Sequence, residues 1–327
     1  DSTNGPHIFA TENAFGNSTG NATIELEKPS DADNGIPAND FTRGQDFYDL
    51  VIEVDPNNHD IIYVGGIDLF RSTQGRNTDQ VSEWAQISKW SENPNLNTLN
   101  CSYVHADQHA FVFRPGNSNQ AALGTDGGMF FATSLSAAAD NDVIIERNKD
   151  YSVTQFYYGS YGQDLVSEFI VAGAQDNGTQ FINGAAPGSN ASIWVNGGDG
   201  AYSTIDKDLN YMIVSYVYSN HTYLNLPYNG TGYTIDNNDN EGDFINAAGL
   251  DHNLNIMYSN GSSSGTNRVN RYVLGSSSAT KTQLTNTLLT GEPIAFKVSP
   301  HTTTSTVLLV GTDDGKLIRL KNANGAT

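Results

Sequence analysis

Apolar residues come in short bursts along this chain, each of strand length and each bounded by Gly, Asn, Asp or Pro. Segments 49–56 (DLVIEVDP), 60–66 (DIIYVGG) and 68–73 (DLFRST) read as period-2 or continuous apolar runs, the signature of half-buried or fully buried β-strands. No long amphipathic helical pattern is present. The bursts repeat as units of about 40–50 residues, a spacing expected of propeller blades. The first unit occupies 50–56, 61–65, 69–72 and 84–88, and the second 110–115, 121–124, 129–133 and 143–147. The third occupies 155–161, 169–173, 179–183 and 192–196, and the fourth 201–206, 212–216, 222–226 and 233–236. The fifth occupies 244–250, 255–259, 268–274 and 282–285, and the last has only 294–300, 307–311 and 316–321.

The last unit is one strand short, and spare strand material lies at 7–11 and 22–27. A propeller closes its ring, commonly by completing the last blade with a strand from the other terminus. The expected fold is therefore all-β: one propeller domain over 1–327, with about six four-stranded blades, or seven if the N-terminal stretch contributes more than one strand. Segment 22–27 is expected to pair beside the final unit. A pair of β-sandwiches is the competing architecture.

Composition narrows the function classes. The chain carries 16 Lys plus Arg against 36 Asp plus Glu, a formal net charge of −20. Phosphate backbones and anionic membrane surfaces are repelled by such a surface, so nucleic acid is excluded as a partner. Cations, neutral glycans and basic proteins remain, and solubility alone also accounts for the charge. No apolar run approaches the roughly 20 residues of a membrane span. A single cysteine, Cys101, precludes an internal disulfide framework and reads as a small buried hydrophobe. The chain opens at Asp1 without a signal peptide, so it is expected to be a mature product or a fragment of a longer protein. Abundant Asn, Ser, Thr and Gly suits an extracellular β protein. Sequons such as those at Asn17, Asn190 and Asn220 carry meaning only in a eukaryotic source.

Two kinds of motif carry candidate chemistry. Segment 103–115 (YVHADQHAFVFRP) places His105, Asp107 and His109 at every second position, which on a strand is one face. Aligned imidazoles and a carboxylate suit a divalent metal, calcium or a transition metal; a polar hydrogen-bonded network is the structural alternative. The second kind is a set of acidic glycine turns: TDGG (125–128), QDNG (175–178), NGGDG (196–200) and TDDG (312–315). Asp-Gly and Asn-Gly are also the preferred residues of tight turns. In a propeller all of these fall on one face, which would bring His105, Asp107, His109, Asp126, Asp176 and Asp199 toward one another. Gln175, Trp90, Tyr157 and Tyr202 lie near that face and are expected to contact ligand. Trp84 and Trp194 are expected to pack at the start of fourth strands.

Several stretches resemble the sialidase-like propellers with Asp-box (BNR) repeats, whose pattern Ser-x-Asp-x-Gly-x-x-x-x-Trp lies between the third and fourth strands of a blade. Residues 72–75 (STQG) followed by Trp84 resemble a degenerate copy, and 11–16 and 133–136 resemble weaker ones. The ordered series VHADQHAFVFRP, LGTDGGMFFATS, TQFYYGSYGQD, VAGAQDNGTQF and NGGDGAYSTID is similar to exported propellers of Bacteroidetes-type bacteria, often joined to a type IX secretion sorting domain. More distantly it is similar to xyloglucan-cleaving propeller glycosidases and sortilin-type receptor propellers. The resemblance covers roughly 46–225 and implies an extracellular or cell-surface protein.

Two functions are compatible with this pattern. One is a non-catalytic propeller that binds glycan or protein through its acidic face, or serves as a module of a larger surface assembly. The other is an endo-acting glycoside hydrolase on neutral polysaccharide, with Asp126 and Asp176 as its carboxylates. Sparse Trp and the lack of an evident acid pair favour binding. A sialidase is disfavoured because Arg is scarce, and that chemistry needs an arginine cluster for the substrate carboxylate.

Overall fold

The computed structural model describes residues 5–11, 23–77, 80, 83–149, 153–164, 168–188 and 190–325. The chain is all-β and divides into two compact units, Asp1–Ser152 and Val153–Thr327. Among the described residues no helix is long and apolar enough to cross a membrane.

The first unit opens with a hairpin of β1 (Ile8–Thr11) and β2 (Thr23–Leu26). A four-stranded antiparallel meander follows: β3 (Val51–Val54), β4 (Ile62–Gly65), β5 (Leu69–Ser72) and β6 (Trp84–Gln86). A short parallel pair, β7 (Ser88–Lys89) and β8 (Ser102–Tyr103), leads on. It is followed by a second meander of β9 (Gln108–Arg114), β10 (Asn117–Thr125), β11 (Gly128–Ala132) and β12 (Ile144–Glu146). β4 is buried at every residue because both of its faces are covered. Tyr63 joins Leu69, Ile87, Phe111, Leu123 and Phe130 between the two meanders. Ile62 and Val64 join Ile8, Leu26, Phe41 and Phe70 on the opposite side. That double burial explains the unbroken apolar run IIYVG, since no position of the strand faces water. Each such large side chain contributes about 1.5–3 kcal/mol on burial.

The second unit contains three four-stranded antiparallel meanders. They are β13 (Phe156–Gln163) to β16 (Ile193–Asn196) through β14 (Glu168–Ala174) and β15 (Gly178–Asn183); β17 (Ser203–Ile205) to β20 (Gly232–Asn238) through β18 (Tyr211–Ser215) and β19 (Ser219–Asn225); and β21 (Ala248–Asp251) to β24 (Ala279–Leu284) through β22 (Ile256–Asn260) and β23 (Val269–Leu274). A three-stranded sheet of β25 (Pro293–Val298), β26 (Val307–Thr312) and β27 (Leu317–Lys321) ends the unit. β18 and β22 are buried throughout, again because apolar clusters lie on both sides. Val171 and Phe181 of the first meander pack with Met212, Val214 and Leu224 of the second. Ile213 and Tyr211 pack with Met257 and Tyr272 of the third. Tyr258 and Val269 pack with Leu308 and Val310 of the last sheet.

The strand units read from the sequence reappear in order. One pairing differs: segment 22–27, expected beside the final unit, instead supplies β2, which pairs with β1 at Ile8↔Leu26 through Thr11↔Thr23. A hairpin closes a short loop at small entropic cost, and this one has an apolar side to bury against Phe41, Val64 and Phe70. The end of the last sheet is tied instead by Arg271, whose guanidinium donates to the carbonyls of Ala323 (3.2 Å) and Asn324 (2.9 Å). Asn17 and most of the weak Asp-box-like stretch at 11–16 lie outside the described residues. Residues 72–75 form a turn after the third strand of the meander, where Ser72 Oγ accepts the Gln74 N–H at 3.1 Å. The Trp84 indole donates to the Glu27 carbonyl at 2.7 Å, joining the first meander to the end of the hairpin.

Candidate functional site

Two turn clusters carry the expected site residues, one in each unit. In the first unit the expected continuous strand through His105, Asp107 and His109 is interrupted. β9 begins only at Gln108, and Asp107 sits at φ +65°, a left-handed conformation that Asp tolerates better than most residues. Alternation ends there, so only His109 lies on the strand, while His105 and Asp107 belong to the connection that precedes it. The TDGG turn between β10 and β11 nevertheless comes to this connection as expected. The Asp126 N–H donates to the Asp107 carbonyl at 3.3 Å. The His105 ring lies so close to Gly127 that a Cβ there would stand 2.2 Å from its Cγ. His109 Nε2 is 2.5 Å from Asp126 Oδ1.

One aromatic residue missed in the sequence completes this cluster. A succession of turns over residues 42–49, with the Tyr48 and Asp49 N–H groups both donating to the Gln45 carbonyl, delivers Tyr48. Its hydroxyl donates to both Asp126 oxygens, at 3.0 and 3.1 Å. Its ring meets His109 edge-on at 4.8 Å. Tyr48 is 47% exposed and the adjoining Phe47 86%. An exposed aromatic ring and a half-exposed imidazole therefore meet over a carboxylate that is itself only 11% exposed.

Asp49 was also missed, because nothing in FYDLV distinguishes it from a strand-flanking acid. It is fully buried (0% exposed), and neither carboxyl oxygen has a hydrogen-bond partner from a conventional donor. Asp107 Oδ1 is in the same position. The two carboxyls are within hydrogen-bonding reach of each other, with Asp126 nearby. Burial first, and then the negative charge of Asp107, push the Asp49 carboxyl up to about 8. Burial and the charge of Asp126 raise Asp107 as well, while the Asp49 carboxyl and the two histidines act in the opposite direction. One proton shared between Asp49 and Asp107 satisfies both. Among the described residues no group of three or more His, Cys, Asp or Glu is arranged to hold a metal ion, His105, Asp107 and His109 included.

In the second unit the QDNG and NGGDG turns also come together. Asp176, at φ +55°, donates its N–H to Asp199 Oδ1 at 3.2 Å. The Gly178 N–H donates to the Gly198 carbonyl at 2.7 Å, and the Gly200 N–H to the Ala174 carbonyl at 2.8 Å. Burial raises the Asp199 carboxyl. The Gln175 N–H donates to the Gln155 carbonyl at 2.9 Å. In the TDDG turn, Asp314 accepts from Thr290, Thr312 and Lys316. Those bonds hold its carboxyl well below the usual range.

Three aromatic residues singled out in the sequence take different places, and the expectation for Trp194 is corrected. Trp90, expected to be exposed, is half-buried, and its indole donates to Asp33 at 3.1 Å. Trp194, expected to pack like the buried Trp84, is 64% exposed on the outermost strand of its meander. Tyr202, expected to contact ligand, is largely buried, packs edge-on against Tyr158 at 5.6 Å and borders a cavity of about 560 Å³. Tyr157 is half-buried and borders an open groove of about 760 Å³ with Phe156, Asn177 and Gln180. Cys101 is buried, and burial pushes its thiol up to about 12, as suits a hydrophobe rather than a nucleophile.

No family model matches the chain, and no curated protein matches it. Among solved structures it is similar to the computationally designed Ika8 protein, at 12% identity over 85% of this chain and 72% of that one, with a TM-score of 0.33.

Proposed function

We propose that this protein is an extracellular or cell-surface β-propeller of about six four-stranded blades that binds neutral glycan without turning it over. The unbroken succession of antiparallel meanders supports the propeller. The cluster of Tyr48, His109 and Asp126, with the exposed Phe47 next to Tyr48 in sequence, is the observation that supports the binding function. Aromatic rings offer an apolar face to a sugar ring, and a carboxylate beside an imidazole accepts and donates hydrogen bonds to hydroxyls.

Hydrolysis has one point in its favour. Asp49 keeps its proton at neutral pH, the state required of a general acid. Its carboxyl is closed off from solvent, however, and could not meet a glycosidic oxygen in this conformation. Binding therefore fits better than turnover. A glycan array combined with a reducing-sugar assay on plant and marine polysaccharides tests the proposal. Binding that Tyr48→Ala and Asp126→Asn each weaken about tenfold, the size expected of one lost contact, with no sugar release, is the expected result. Release abolished by Asp126→Asn or Asp176→Asn would replace binding with hydrolysis.

A further inference from the structure

The cavity of about 560 Å³ that Tyr202 borders lies within the Val153–Thr327 unit, along the first strands of its sheets. Its size falls within that of ligand pockets, roughly 300–1,000 Å³. Two turns that leave first strands, 205–210 (IDKDLN) after β17 and 250–255 (LDHNLN) after β21, follow one pattern. In each, an aspartate carboxylate accepts the N–H two residues on: Asp206 from Asp208 at 3.3 Å, Asp251 from Asn253 at 3.0 Å. Both aspartates are 1% exposed, so the acids hold the turns from within. The residue between, Lys207 in one turn and His252 in the other, comes to the cavity. Lys297 of β25 lines it as well.

These three basic side chains are the charged groups a ligand can reach. The Lys207 side chain is 45% exposed and that of His252 37%, and Lys297 is exposed. The Lys207 N–H donates to His252 Nδ1 at 3.3 Å, which leaves Nε2 as the N–H donor of the neutral ring. Lys207 Nζ pairs with Asp208 at 2.7 Å, whereas the Lys297 ammonium has no ion-pair partner among the described residues. The one carboxylate of the lining, Asp251, is enclosed. Its oxygens accept from the Asn253 and Leu254 N–H groups and from the Thr306 hydroxyl at 2.6 Å. Asp206, enclosed too, lies 3.9 Å from the Nδ1 side of the imidazole. Tyr158 adds a half-buried aromatic ring to the wall. The net charge of −20 repels anions at long range, but salt screens such a field beyond about 8 Å. At contact distance the local ammonium and imidazole groups decide, and they favour an oxyanion through charge-assisted hydrogen bonds.

We propose that this cavity takes an acidic sugar unit, its carboxylate or sulfate ester held by the Lys297 ammonium and the His252 Nε2–H while its ring packs on Tyr158. The proposal rests on the glycan reading given above for the sugar and extends the ligand class to acidic glycans.

The test uses the whole chain with glucuronate, galacturonate and galactose 6-sulfate at millimolar concentration, and with glucose and galactose as uncharged controls. Imidazole nitrogen NMR follows the seven histidines, and His252→Gln assigns the His252 signals. The expected result is a saturable shift of the His252 signals with at least one acidic sugar and none with glucose or galactose. Lys297→Gln should raise the Kd about tenfold, and 0.5 M NaCl should weaken binding as well. The Lys297 side chain is exposed, so the variant stays folded, which far-UV circular dichroism checks. The acidic sugar that responds tells carboxylate from sulfate ester. An equal response to the neutral sugars, acidic-sugar binding that leaves the His252 signals unmoved, or a Kd that Lys297→Gln does not change overturns the site. No response to any acidic sugar also overturns it and, with a positive neutral-glycan array, leaves the Tyr48 reading standing. Acidic-sugar binding here with a blank neutral array upholds the site and overturns that reading.

Discussion

Replacing Asp49 by asparagine should lessen the fall in stability of the first unit between pH 5 and 8, with the raised Asp68 and Asp31 carboxyls supplying the remainder. In the folded chain the Asp49 carboxyl keeps its proton up to about 8, against an ordinary value of 3.8. The unfolded chain therefore gives up this proton about four pH units earlier. Between those limits the folded state binds more protons, so stability falls as pH rises and levels off once Asp49 ionises. At about 1.4 kcal/mol per pH unit the ceiling is about 6 kcal/mol. Relaxation of Asp107 and Asp126 around the charge reduces the expected loss to about 2–3 kcal/mol. Asparagine keeps the shape of the side chain and can donate an N–H to Asp107 without taking up a proton. The variant should match the parent near pH 5 and exceed it by about 2 kcal/mol near pH 9. Urea unfolding at pH 5 to 9, followed through Trp84 and Trp90 in a Trp194→Phe background, measures the first unit alone. A parent whose stability is flat over pH 5–8, or an Asp49→Asn variant with the parental slope, would refute the shared proton.

Three further outcomes follow from the same geometry. On the shared-proton reading of Asp49 and Asp107, chelator should leave the melting temperature unchanged; a loss of several degrees on chelation, restored by calcium, would reverse that reading. Gly127→Ala should destabilise the first unit by about 2 kcal/mol through the clash with His105, whereas Gly116→Ala, with open space around its Cβ position, should cost only the smaller strain of its positive φ; denaturant midpoints compare them. Trp84→Phe removes the bond to the Glu27 carbonyl and should cost about 1–2 kcal/mol, with faster proteolysis of the N-terminal hairpin as its specific readout.

Much of this architecture is written in local pattern. A β-strand needs only its own alternation or its own apolar run to be visible, and Asp-Gly and Asn-Gly punctuate the turns. The strands of β3–β6 and β9–β12 could therefore be placed within a few residues, and so could the meeting of TDGG with the segment before β9. Local pattern failed where a residue's surroundings come from elsewhere in the chain. Asp49 reads as one more flanking acid, and only the fold encloses it beside Asp107. Trp90 is half-covered because Asp33, some sixty residues away in sequence, captures its indole. The Trp194 ring is left on an outer strand.

Sequence alone thus determined the all-β class, the order of the strands and the residue types presented at the turns, because these depend on backbone preference and on spacing along the chain. The tertiary structure decided which carboxyl holds a proton, which aromatic rings meet solvent and where the N-terminal strand pairs. Those outcomes depend on desolvation and on partners distant in sequence, and neither is encoded in the immediate neighbours of the residue concerned.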